Sequence, residues 1–383
     1  MKRKYFIFAL PFLILSCNNN DDDNNTDRSS ISDHVSALPS RVNYPEDNTY
    51  SAEKEDLGRF LFWDPIMSGD KDVSCATCHH PELAYADAID LSLGVGGSGL
   101  GTDRQGGDLV PRNAPTILNT AFNGIDNDGN YNIEEAPMFW DSRTESLENQ
   151  ALQPFLSAEE MRGDNIGEDD IMDTIIERLS NISEYQELFS SAFGSTEITE
   201  ERILQAIATF ERGIVANNSP FDQYMRGDNS AMTDEQIEGL ETFIEVGCAD
   251  CHSGAMFSDY ELHTLGVPDH DLVQDDKGAT DNFDFRTPTL RNIELTAPYM
   301  HNGVIESLED VVEFYDDISQ GRENDINDNL DFEDLDPEIR DLSVRRGDID
   351  EIVAFLEALT DEGFDVTVPE SVPSGLNVGG DID

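Results

Sequence analysis

Two short runs of residues carry the clearest chemistry: Cys75-Ala76-Thr77-Cys78-His79 and Cys248-Ala249-Asp250-Cys251-His252. Cys-x-x-Cys-His is the pattern of c-type haem attachment. Two thiols add to the two vinyl groups of one porphyrin. The residue that follows then offers its imidazole to the iron as the proximal ligand. A dithiol redox pair needs no histidine at that position. A structural zinc site built from Cys, Cys and His lacks a fourth ligand in each copy. A disulfide framework leaves both histidines without a purpose. Of the five cysteines only Cys17 stands outside the two runs. The expected cofactors are therefore two covalent c-type haems, with His79 and His252 on their irons.

The elements that must position these motifs read as helices. Ser51 caps a stretch with Leu57, Phe60 and Leu61 on one side, ending near Asp64-Pro65. Helical periodicity predicts one helix over 171–189 and another through Ile203, Ile207 and Phe210. Thr233 with Gln236 forms a capping-box pattern ahead of the second motif. Ser307 opens a further helix through Val311, Val312 and Phe314, and 349–359 gives the last. No stretch alternates like a strand. The predicted fold is mainly α: two cytochrome c-like haem domains with long loops. The glycine-rich stretch 94–113 is expected to wrap a haem.

The chain begins with Lys2, Arg3 and Lys4, then an apolar run over 5–15, then Ser16-Cys17. That run is too short for a finished transmembrane helix and reads as a signal peptide over 1–16. The small residue before Cys17 resembles a lipoprotein cleavage site, with Cys17 as the acylated residue. The stretch that follows is rich in Asn and Asp, and 17–45 is expected to be a flexible tether. The predicted location is periplasmic, with membrane contact only through the lipid. The remaining divisions are a haem domain at 46–214, a second at 215–365 and a surface tail at 366–383. Acidic residues outnumber basic ones 81 to 23, for a net charge of −58. This charge repels nucleic acid and anionic lipid, and attracts a basic protein partner.

Further segments carry a family resemblance. Pro111-Arg-Asn-Ala-Pro-Thr-Ile-Leu-Asn119, Phe139-Trp-Asp-Ser-Arg143, Arg286-Thr-Pro-Thr-Leu-Arg-Asn292 and Pro298-Tyr-Met-His-Asn-Gly303 resemble the bacterial dihaem cytochrome c peroxidases. With the haem motifs, the resemblance runs from about Leu57 to Thr360. It implies that the haem on His79 is the peroxidatic one and that the haem on His252 transfers electrons. Trp140 matches the tryptophan between the haems. Gln150 matches a distal-pocket glutamine and Glu160 the catalytic glutamate. Peroxide must lose a proton to bind iron, and the leaving oxygen must gain one, so a single carboxylate serves both steps. The Asn113 side chain and the carbonyls of Thr296 and Pro298 match a calcium site. Asp126, Asp128 and Asn130 have acidic-loop spacing, but Tyr131 stands where a calcium loop needs glycine, so they read as an acidic insertion.

The sequence departs from the family twice. Family members often carry a distal histidine before the Pro-Arg-Asn motif, and 90–110 holds none. The first haem is thus expected to be open in the resting oxidised protein. The methionine expected on the second haem is replaced by Tyr315, fourteen positions after His301. Met256 is too close to His252 to reach the far side, so Tyr315 or Met300 is the distal ligand. Tyr315 resembles the dihaem enzymes that mature methylamine dehydrogenase. His80, His263 and His301 are placed near propionates or in ordinary loop contacts.

The leading expectation is an enzyme that reduces hydrogen peroxide with electrons from a small cytochrome c or copper protein. The alternatives are a dihaem oxidase that modifies a partner protein through high-valent haems, and a non-enzymatic dihaem electron carrier. A homodimer is compatible with the family.

Overall fold

A computed structural model of the chain describes residues 28, 30–322 and 326–382. The signal segment 1–16, Cys17 and the Asn/Asp run lie outside the described residues. No helix among the described residues is long and apolar enough to cross a membrane.

The helices form where local capping and apolar spacing agree. Helix α1 (Ala52–Trp63) starts at Ser51, whose side chain accepts the Lys54 N–H. Helices α2 (Ile171–Ser180) and α3 (Ser183–Phe193) replace the single helix expected over 171–189. The break is at Asn181 and Ile182. The Asn181 amide turns back onto the Glu177 carbonyl at 2.8 Å, and Ile182 is extended. Helix α4 (Glu200–Gly213) is capped by Thr199. Helix α5 (Asp234–Glu245) opens with the expected Thr233–Gln236 box, and α6 (Leu308–Ser319) with Ser307. Helix α7 (Ile349–Glu357) is the last long helix of the described residues.

Each haem motif follows a helix that is clamped by a later one. Helix α1 crosses α4 at Gly58, where a Cβ would lie 2.0 Å from the Ala206 carbonyl oxygen. Helix α5 crosses α7 at Gly239, where a Cβ would lie 1.9 Å from the Glu351 oxygen. Only glycine lets the backbones approach so closely. One apolar core gathers Leu57, Leu61, Phe155, Ile175, Phe189 and Ile207. A separate core gathers Phe221, Leu240, Phe243, Phe257, Val312 and Phe355.

The extended pairs are short and sit at loop turns. Pro137–Met138 pairs antiparallel with Thr144–Glu145, register Pro137 to Glu145. Leu262–Thr264 pairs with Asp284–Arg286, register Leu262 to Arg286.

One expectation about the ends is corrected and one refined. Residues 31–38 are not a free tether. Ile31 and Val35 are buried in the second core. The Leu38 N–H donates to Asp222 Oδ1 at 2.9 Å, and Arg291 Nη2 donates to the Ser36 carbonyl at 3.0 Å. Ile31, Val35 and Leu38 each bury an apolar side chain, which the polar stretch before them cannot do. The tail runs along the surface as expected, with Val366 and Val368 exposed, but it is anchored at a few points. Val372 is buried. Thr77 Oγ1, inside the first haem motif, donates to the Gly379 carbonyl at 2.9 Å, and the Gly379 N–H donates to Trp63.

Candidate active site at the paired haem motifs

The first motif folds as a single helical turn, Cys75–Cys78. The Ser74 N–H donates to Thr77 Oγ1 at 2.9 Å and holds the turn's start. His79 Nδ1 donates to the Tyr85 carbonyl at 3.0 Å. His252 Nδ1 donates in the same way to the Phe257 carbonyl at 3.0 Å. A carbonyl can only accept, so each Nδ1 carries the proton and each Nε2 keeps its lone pair for a metal. Burial holds both imidazoles below the ordinary histidine range, hence neutral.

All four motif cysteines are free of disulfides. Together with His79 and His252 they line one continuous cavity. Each half thus presents two thiols and one imidazole lone pair to the same hollow. That donor set fits two c-type haems and no other group considered above.

Trp140 lies at the turn of the Pro137–Glu145 hairpin and lines this cavity. Its Nε1–H donates to the Asn113 carbonyl at 3.0 Å. Its own carbonyl accepts the Arg286 N–H at 2.7 Å, and Arg286 Nε donates to the Phe139 carbonyl at 2.9 Å. A residue beyond the second motif therefore fixes the Trp140 turn from the other half. Arg112 makes a parallel tie, reaching Asp141 at 2.7 Å and Asp276 at 2.6 Å. Sequence reading missed both arginines as clamps, although each sits in a motif it singled out.

Glu160 sits on a five-residue π-helical turn, Ala158–Arg162, opened by Ser157, whose Oγ accepts the Glu160 N–H at 3.2 Å. Such turns frequently mark functional positions. Gly94 presses on this turn, since a Cβ there would lie 1.9 Å from the Glu159 oxygen. The Val95 N–H donates to the same oxygen at 3.1 Å. The glycine-rich stretch thus buttresses Glu160, while its ends at Ser92, Val110 and Asn113 line the cavity.

Glu160 and Gln150 both face the cavity with Cys78 and His79. Burial raises the Glu160 carboxyl above the usual carboxylate range, and the Arg143 charge opposes this only in part. Glu160 also borders a second, outer hollow with Arg143, Gln153 and Pro111. It stands between that hollow and the inner cavity. The Arg143 guanidinium lies 3.6 Å from the Phe139 ring centroid and pairs with Asp141 at 2.8 Å.

Around the second motif, Tyr315 on α6 and Met300 both line the cavity. Burial moves the Tyr315 phenol above its ordinary range, and the nearby Cys248 and Cys251 add to this. Met256 packs instead with Leu38, Phe122 and Ile125. Among the expected calcium donors, Asn113 Nδ2 donates to the Ile89 carbonyl at 2.9 Å. Asn113, Thr296 and Pro298 all border the cavity. The Asp126 carboxylate is occupied by the N–H groups of Asp128 and Asn130, as in an ordinary capped turn.

The other histidines divide. His80 is buried, accepts the Glu82 N–H and packs edge-on to Trp63, outside the cavity lining. His263 is held between Asp259 at 2.9 Å and Asp336 at 2.7 Å, and Asp259, with the Cys251 sulfur, pushes it up to about 11. His301 stacks on Phe285 at 3.7 Å, and burial lowers it to about 4.

Fold and site define a mainly helical c-type cytochrome whose two haem positions share one cavity, with an acid facing the first. Comparison with known proteins gives this class a family. The sequence profile of the di-haem cytochrome c peroxidases matches residues 52–230. The methylamine utilization protein MauG of Methylorubrum extorquens is 34% identical, over 87% of this chain and 85% of its own length. The cytochrome c551 peroxidase of Pseudomonas aeruginosa is 30% identical, over 86% of each. The crystal structure of a MauG-like protein associated with microbial copper homeostasis superposes with a TM-score of 0.69 at 28% identity, covering 85% of this chain and 95% of that one. The chain belongs to the di-haem cytochrome c peroxidase family.

Proposed function

We propose that this protein reduces hydrogen peroxide to water at the first haem, with electrons that enter through the second. The observation that carries this reading is Glu160. It is a half-buried carboxyl on the wall of the cavity lined by Cys75, Cys78 and His79, and it also borders a hollow leading outward. A pure electron carrier has no use for such an acid.

The haem, when bound, supplies the redox-active iron. His79 and His252 would hold the irons through Nε2, and the four cysteines would fix the porphyrins. Glu160 accepts the proton of incoming peroxide and returns it to the departing oxygen. A pKa raised by burial brings its base and acid forms closer in population near neutrality, which suits both transfers. Gln150 offers an uncharged amide beside it to orient the substrate. Arg143, flattened on Phe139, supplies positive charge at the mouth. Trp140, pinned from both halves, spans the space between the motifs as the electron relay. The absence of a histidine from 90–110 supports a first haem that is open before any electron arrives.

The electron donor is a small basic protein of the cytochrome c or copper-protein kind, drawn by the net charge of −58. Export to the periplasm with lipid attachment at Cys17 and a calcium ion on Asn113, Thr296 and Pro298 complete the reading. A second reading, oxidation of a protein partner, is favoured by Tyr315 on the cavity wall.

Steady-state peroxide turnover with reduced cytochrome c tests the proposal. Turnover is expected in the wild type, falling as salt screens the docking charges. Glu160→Gln should lower kcat by about 10²–10⁴-fold at unchanged haem content. Equal turnover by the Glu160→Gln protein would remove Glu160 from the mechanism. A wild type inactive toward peroxide with every small donor, yet able to draw electrons from a protein partner, would favour the second reading.

A further inference from the structure

Glu211 is an acid that the mechanism above does not use. It lies near the end of α4 and is only 5% exposed. Its Oε2 is buried with no hydrogen-bond partner. It lines the haem cavity with Ile207, Leu147 and Cys75, on the side of the first thioether position. A buried carboxyl oxygen without a partner is destabilising, so its retention calls for a physical reason.

The charged groups on the elements beside it make their hydrogen bonds to other residues. On its own helix, Arg212 is held by both oxygens of Glu148, at 2.5 and 2.7 Å. From α1, Lys54 donates to Asn48 at 2.9 Å, Arg59 pairs with Asp365 at 2.6 Å, and Glu55 accepts from Tyr50 at 2.8 Å. From the motif turn comes Cys75, whose sulfur becomes a neutral thioether once the porphyrin is attached. Glu160 borders the same cavity. Burial pushes the Glu211 carboxyl up to about 8; the Arg212 charge opposes this only in part, and the Glu148 charge adds to it. None of these groups donates a hydrogen bond to the buried Oε2, which is left on the side of the first haem position.

We propose that Glu211 is the redox-linked protonation site of the first haem. When that iron gains one electron and passes from ferric to ferrous, the Glu211 carboxylate takes one proton from solvent and an O–H bond forms. When the iron loses the electron, the proton leaves. The cavity's net charge is then the same in both states, which limits the cost of changing charge in a buried place. Glu211 touches no substrate in this scheme. It is a positioning residue for charge, separate from the proton chemistry of Glu160.

The test is a pH series of redox titrations on the full holoprotein without peroxide. In the wild type, the equilibrium of the first haem should shift tenfold per pH unit across the neutral to mildly alkaline range, or 59 mV for a one-electron couple. Glu211→Gln should flatten that slope and leave the second haem unchanged. An unaltered slope in Glu211→Gln overturns the proposal. Should the variant lose its first haem, the wild type alone decides. Its oxidised-minus-reduced infrared difference spectrum should show the carbonyl stretch of a newly protonated carboxyl, shifted in deuterium oxide. A spectrum without that band also overturns it.

Discussion

Tyr315 and Met300 are the two candidates for the distal position of the second haem, and the two ligands would have opposite consequences. A phenolate is hard and anionic and favours the oxidised iron; a thioether favours the reduced iron and a high potential. Both side chains reach the shared cavity. Tyr315 is on α6, which Ser307 caps and Phe314 and Val312 anchor, so its direction is set by a rigid element. Met300 is in a loop, at a φ of 73°, and is not part of a helix. Tyr315→Phe is therefore expected to change the resting spectrum of the second haem and raise its potential. Met300→Leu should leave both alone. An unchanged spectrum in Tyr315→Phe would rule out the phenolate. At this scale the sequence was most legible where covalent chemistry sets the spacing: two thiols and an imidazole in five residues admit few other uses. Glu160 was legible only through its match to a family motif. Among 81 acidic residues nothing local separates a buried acid from a surface one. Glu211 passed unnoticed for the same reason. Its burial is decided by α1 and the first motif, which lie far away in sequence.

The elements that position these residues depend on a few glycines more than on helix propensity. Gly58 and Gly239 occupy equivalent crossings in the two halves, each with a neighbouring carbonyl where a Cβ would go. Gly58→Ala must spread α1 from α4, and Gly239→Ala must spread α5 from α7. Overpacking of this kind costs about 1–3 kcal/mol. Thermal unfolding followed at the haem bands should show the first change loosening mainly the haem on His79, and the second mainly the haem on His252. If both variants destabilise both haems equally, the halves do not melt as separate units. Helix starts were readable because a cap is a contact between neighbours in sequence, as at Ser51, Thr233 and Ser307. The π turn at Glu160, the break at Asn181 and the packing of Ile31 and Val35 were not. Each is settled by contacts between segments that composition and periodicity do not connect.

Among the described residues the two largest apolar cores are joined by a polar seam, and the proposed electron relay Trp140 sits in it. Arg112 binds Asp141 from its own half and Asp276 from the other. Arg286 holds the backbone of Phe139 and Trp140. The Asn113 N–H donates to the His301 carbonyl at 2.8 Å, and its carbonyl receives the Trp140 indole. Asn113 thus touches both the far half and the relay. With Nδ2 bound to Ile89, its Oδ1 is the side-chain atom left for a cation. Calcium prefers such hard oxygen donors, and a chain with net charge −58 gains from any cation placed at its centre. Calcium on Asn113, Thr296 and Pro298 would then set the distance and angle between the halves through the same residue that holds Trp140. Chelation should leave both haems covalently attached, because thioethers do not depend on the ion. It should slow the passage of electrons from the second haem to the first, and restoring calcium should reverse this. Stopped-flow reduction of the first haem, before and after chelation, measures the effect. An unchanged rate in protein shown by metal analysis to have lost its calcium would mean that the arginine clamps alone hold the seam.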